Sequence, residues 1–68
     1  MNIRIAFEAD NAAFADEPGI EVARILNDLA DKFDGAGASR LTEWHGSGVY
    51  DINGNRVGGV HIGEGVQI

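Results

Sequence analysis

The stretch from Val22 to Phe33 constrains this chain more than any other part of it. Val22, Leu26, Leu29 and Phe33 recur at i, i+4, i+7 and i+11, and Ile25 and Ala30 widen the stripe. That spacing follows the 3.6-residue period of an α-helix with one apolar side. A helix so patterned needs a surface to lie against, so the rest of the chain must supply one. Its ends are marked. Asp16 reads as the N-cap, with Glu17 and Pro18 in a first turn that tolerates proline and favours carboxylates. Gly35 can take a positive φ and stop the helix. The predicted helix covers residues 17–34. Glu21, Arg24, Asp28 and Asp31 fall on its solvent side, and Asp28 with Lys32 makes an i,i+4 acid–base pair.

The opposing surface reads as strands. In residues 2–8, Ile3, Ile5 and Phe7 alternate with Asn2, Arg4, Ala6 and Glu8, the period of a half-buried strand. Residues 10–19 read as a loop with Phe14 tucked onto the core. Residues 47–62 read as a hairpin: Val49, Tyr50 and Ile52 lead in, Asn53-Gly54 turns, and Val57, Val60 and Ile62 lead out. Asn-Gly is favoured in primed two-residue turns, which need positive φ at both central positions. Gly58 and Gly59 weaken the second strand or mark a bulge. Residues 35–40 read as a flexible connector, and residues 41–45 fit no single element. Val66 and Ile68 alternate with Glu64 and Gln67 in a tail that would extend the last strand or lie on another chain. The expected fold is one α+β domain over residues 1–68, order β-α-β-β, with one helix on a three-stranded, mainly antiparallel sheet. The other sheet face and the edges would stay open and invite self-association.

Composition then narrows the function. The 68 residues suit one domain, and they include no cysteine, so neither a disulfide nor a thiolate metal site is available. No apolar run near the length of a membrane span occurs and no secretory signal is apparent, so the expectation is a cytoplasmic chain with no membrane partner. Eleven acids against five bases give a net charge of −6. Direct nucleic-acid binding needs a basic stripe, which that balance disfavours, whereas a basic protein surface is a fitting partner. A charge of this size is also ordinary for a small soluble domain.

Few residues suggest chemistry. Asp51, Asn53 and Asn55 alternate as in a calcium loop, but Arg56 and Ile62 stand where such a loop needs Gly and a bidentate Glu. His45 and His61 could meet across the sheet and hold a metal with Glu43 or Glu64, yet no His spacing typical of such a site is present, and rim histidines are the expectation. Ser39 and Ser47 have no base near them in sequence, and the glycine pairs 35/37 and 46/48 lack the context of a phosphate loop. No enzyme, cofactor or metal is expected. Asp28, Asp31 and Asp34 with Glu21 are candidate partner-binding charges that would imitate a nucleic-acid backbone, and Trp44 and Tyr50 are candidate anchors. The alternative for each is a solvated helix face or a core aromatic.

Two resemblances add context. Residues 50–56, Tyr-Asp-Ile-Asn-Gly-Asn-Arg, resemble the tyrosine–aspartate repeat of Rhs-type shell proteins. Those proteins need many tandem copies and this chain has one, so the shared element is a hairpin turn. Across most of the chain, Asp10-Asn11-Ala12-Ala13-Phe14, then Glu21-Val22-Ala23-Arg24-Ile25-Leu26 with Leu29-Ala30, then Asp51-Ile52-Asn53-Gly54-Asn55-Arg56-Val57-Gly58 resemble a group of very short phage and prophage reading frames. That resemblance implies an acidic phage product that binds and sterically inhibits a host defence protein in the host cytoplasm, an anti-CRISPR role being the foremost case. Trp44 and His45 lie outside the shared pattern. Two alternatives stand beside it: an assembly protein self-associating as a homodimer through the open sheet face or the C-terminal strand, and a small-ligand sponge at a protomer interface.

Overall fold

The computed structural model describes residues 1–63. The tail with Val66 and Ile68, expected to extend the last strand or to lie on another chain, falls outside the described residues. Three strands, β1 (Asn2–Phe7), β2 (Gly48–Tyr50) and β3 (Arg56–Gly63), form one antiparallel sheet in the order β1-β3-β2. Between β1 and β2 the chain makes a 3-10 turn (Ala12–Phe14), the long helix α1 (Pro18–Phe33) and the short helix α2 (Ala38–Thr42). The α+β class and the three-stranded sheet are those expected from the sequence. The short helix occupies part of the segment read as a connector.

The core is small. Phe14, Ile25, Leu29, Val49, Val60 and Ile62 are buried together, with Phe7, Val22, Phe33, Leu41, Trp44 and Val57 packed around them. Burying each of the larger aliphatic side chains contributes roughly 1.5–3 kcal/mol, so a domain of this length has little to spare. Phe14 tucks in as expected, held by an Asn11 side chain that accepts the Ala13 N–H at 3.0 Å.

The buried line along α1 differs from the predicted one. It runs through Glu21, Ile25 and Leu29, an i, i+4, i+8 row, with Val22 and Phe33 at its margin. Leu26, expected inside, is 48% exposed, and Ala30 is exposed as well. Several rotations of a helix bury a similar number of apolar side chains. The rotation taken here is the one that brings Glu21 to its polar partners. The N-cap is Glu17 in place of Asp16, with Pro18 opening the helix, and Gly35 follows the C-cap at φ +76°.

The hairpin turn differs too. Asn53 keeps a negative φ and only Gly54 is positive, at +87°. The Gly54 N–H donates to the Asp51 carbonyl at 3.0 Å, and the Asp51 N–H donates to the Asn55 carbonyl at 2.9 Å. This is a three-residue loop closed by a left-handed glycine, not a two-residue primed turn. The β2–β3 register steps from Val49 opposite Gly58 to Tyr50 opposite Arg56, so Val57 is the additional residue of a bulge on β3, beside Gly58 as expected, and Gly58 has a second role. A Cβ on Gly58 would run into the Ala6 carbonyl oxygen and Phe7, so the missing side chain is what lets β1 approach β3.

Candidate functional site

The acids of α1 divide into two groups. Glu21 was expected on the outward stripe with Asp28 and Asp31; it is instead buried, 6% exposed. Arg24, one turn on, donates to both of its oxygens at 2.8 and 3.1 Å, and the Ile52 N–H donates to it at 2.8 Å. The Arg24 hydrogen bonds hold the Glu21 carboxyl below its ordinary value, overcoming a burial that pushes it up. Arg24 also donates to the Tyr50 carbonyl at 3.0 Å and to Asp28 at 2.9 Å. One guanidinium thereby ties the helix to the end of β2.

Asp51 continues this network and was not singled out as a site by the sequence. It is 4% exposed. Its Oδ1 accepts the N–H groups of Asn53 and Asn55, both at 2.9 Å. Its Oδ2 accepts the side-chain amides of Asn11 at 2.7 Å and Asn55 at 3.2 Å. Burial pushes its carboxyl up, but these four donors prevail and hold it below its ordinary value. The alternation of Asp51, Asn53 and Asn55, which resembled a calcium loop, places donors rather than ligands around the carboxylate. This latch joins the 3-10 turn, the helix and the hairpin, and its acceptors are occupied.

The outward acids are Asp28, Asp31 and Asp34. All three are exposed, and the Asp28 side chain keeps 59% of its surface while paired with Arg24. Asp28 and Asp31 are i, i+3 neighbours on the helix surface and form an acidic ridge, and Asp34 follows as the C-cap residue, in extended conformation beyond the last helical turn. Asp31 lies in the last turn of α1 and Asp34 caps it, where the helix dipole disfavours negative charge. Only Lys32 supplies a base in the last turn.

The aromatic candidates also part. Trp44 packs edge-to-face on Phe33, with ring centres 6.3 Å apart, and Lys32 Nζ lies 5.6 Å from its ring centre. It borders the core. Tyr50 is 50% exposed, and its ring covers the position where a side chain on Gly48 would stand. Tyr50 and the acidic ridge lie at opposite ends of the Arg24 bridge.

The two histidines do meet. Their ring centres are 5.6 Å apart, beside a hollow of about 280 Å³ lined also by Asn2, Arg4 and Gly63. His45 Nδ1 accepts the Ile62 N–H at 2.9 Å, which leaves Nε2 to carry the proton of a neutral ring. Among the described residues, no group of three or more His, Cys, Asp or Glu is arranged to hold a metal ion. No helix among the described residues is long and apolar enough to cross a membrane. No protein-family model, curated protein or solved structure matches this chain.

Proposed function

We propose that this chain is a non-catalytic binding protein that occupies a basic surface on a host defence protein, an anti-CRISPR role being the leading case. The observation that carries this reading is the exposed set Asp28, Asp31 and Asp34, of which Asp31 lies in the last turn of α1 and Asp34 caps it, where the dipole disfavours carboxylates. Acids placed against the local field cost stability, and a Lys/Arg-lined groove would offset that cost on contact. The net charge of −6 steers such an encounter and repels nucleic acid that would compete for the groove. Glu21 takes no direct part in this contact, since Arg24 and Ile52 already use it. Tyr50 serves as an exposed anchor, and Trp44 supports the helix from behind.

The test is a plaque assay in CRISPR-immune bacteria expressing the chain. The wild type should restore plaques of the targeted phage. The double variant Asp31→Lys/Asp34→Lys should not, while keeping its helical circular dichroism. Equal rescue by both forms would remove the acidic ridge from the mechanism. No rescue by the wild type would remove the anti-CRISPR case.

A further inference from the structure

The outer edge of β1 is built for pairing with another strand. The Glu8 N–H donates to the Val57 carbonyl of β3 at 3.0 Å, and the Ala6 carbonyl points at Gly58 of the same strand. Backbone groups alternate in direction along a strand, so Arg4, Ala6 and Glu8 bond inward to β3 while Ile3, Ile5 and Phe7 point their N–H and C=O groups outward. No strand among the described residues pairs with that edge. The same three residues place their side chains on the helix-bearing face, opposite Ile62, Val60 and Gly58. There Ile3 stays 50% and Ile5 36% exposed.

The helix explains why they are uncovered. The flank of α1 carrying Arg24, Asp28 and Lys32 lines a cleft with Gly48, Val49 and Tyr50, so α1 leans toward β2. Its other flank, with the half-exposed Leu26, faces away from β2. The sequence of β1 contains no proline, and its pairing with β3 is regular over all six residues. It lacks the usual devices that keep an edge from pairing, apart from a single Arg4.

We infer that β1 pairs antiparallel with β1 of a second copy, about a two-fold axis through Ile5, to give a continuous six-stranded sheet. This register sets Ile5 opposite Ile5 of the partner subunit and Ile3 opposite Phe7 of the partner subunit. All three outward residues then sit in hydrogen-bonded pairs, and the uncovered isoleucines bury one another. On the opposite face Arg4 stands opposite Ala6 of the partner subunit and within diagonal reach of the partner's Glu8. A register moved toward the N-terminus, centred on Arg4, would oppose two arginines. One moved toward the C-terminus, centred on Ala6, would lose the pairing of Ile3 within the strand. The axis is perpendicular to the sheet, so both helices lie on the same face and the acidic ridge is doubled.

The experiment combines sedimentation with single cysteines, which the cysteine-free chain permits. The wild type at about 100 μM, a concentration that detects weak pairing, should sediment at twice its 7.2 kDa chain mass. Ile3→Lys should be monomeric with unchanged circular dichroism. Ile5→Cys should form a disulfide-linked dimer on mild oxidation, because a hydrogen-bonded antiparallel pair places its Cα atoms about 5.5 Å apart. Ile3→Cys should not, since its copy would lie roughly 13 Å away along the strand. Should Ile5→Cys fold poorly, amide exchange of the wild type is the second measurement. Ile3, Ile5 and Phe7 should gain protection as concentration rises, while Arg4 and Ala6 should be protected throughout. A wild type that stays monomeric at that concentration, or equal cross-linking at both positions, overturns the inference. A monomer that still inhibits would overturn the dimer and leave the acidic-ridge reading standing.

Discussion

β2 and β1 close the same sheet at opposite edges, and they are built differently. β2 is three residues long, pairs with β3 across a bulge at Val57, and lies under the charged flank of α1. Its far end is fastened by Asp51, Glu21 and Arg24, whose hydrogen bonds are made within the chain. β1 is six residues long, regular, and carries two isoleucines that the helix does not cover. A short, irregular, polar-latched edge discourages a further strand, and a long, regular, apolar one accepts it. One helix cannot roof three strands, so a fold of this size must choose which edge to protect.

The contrast can be broken most sharply from the β1 side, at the point where that strand is attached. Gly58→Ala would thrust a methyl group against the Ala6 carbonyl and force β1 away from β3. Overpacking of this kind costs about 1–3 kcal/mol, and the expected result is a Tm lowered by roughly 10–20 °C in calorimetry. An unchanged Tm would mean that the close approach does not hold β1. At the β2 edge, Asp51→Ala leaves the N–H groups of Asn53 and Asn55 and the Asn11 amide without their acceptor. A fall in Tm of roughly 10 °C is expected, with loss of the hairpin-turn amide protection. If protection at Asn53 and Asn55 survives, the latch is not what shapes the turn.

Acid should act on the β2 edge in the same direction and more gradually. Glu21 and Asp51 both hold their protons more weakly in the folded state than their ordinary values of 4.5 and 3.8. Their stabilisation is therefore full above those values and is lost as the pH falls below them, through the lower folded-state values. Urea titrations should give a stability flat from neutral pH down to about 5 and declining below it. In Glu21→Gln the decline should be shallower, and a decline of unchanged steepness would rule Glu21 out as a source. The smallest effect belongs to the uncovered side. Ile3→Thr or Leu26→Gln should shift the stability of the monomer by only about 0.5 kcal/mol, as measured by urea unfolding of dilute protein. A loss several times larger would show that this surface is core after all.

Much of this molecule was legible in the sequence because its signals are local. The strand alternation of Ile3, Ile5 and Phe7, the helix ends at Pro18 and Gly35, and the tuck of Phe14 follow from periodicity and from residues with restricted or permissive backbones. So did the α+β class, since one amphipathic helix and three short strands have few ways to bury their apolar sides. The candidate site was only partly legible. Asp31 and Asp34 are exposed as expected, and Asp28 is exposed but bound to Arg24. Glu21 was misplaced because charge alone marks a residue as outward, and nothing adjacent in sequence reveals that the Ile52 N–H awaits it 31 residues away. Trp44 and Tyr50 looked equivalent, and only packing separated a core border from an exposed ring.

What the chain's order of residues determined by itself was the set of elements and the side that each must bury, because those depend on interactions within a few residues. Which rotation α1 adopts, which edge it shelters, and which isoleucines remain uncovered were decided only in three dimensions. Those outcomes rest on where distant donors and carboxylates meet, here Asp51 with Asn11 and Glu21 with Ile52. A buried charge costs far more to leave unpaired than an isoleucine costs to leave exposed. The helix therefore settled over its polar partners and left β1 open.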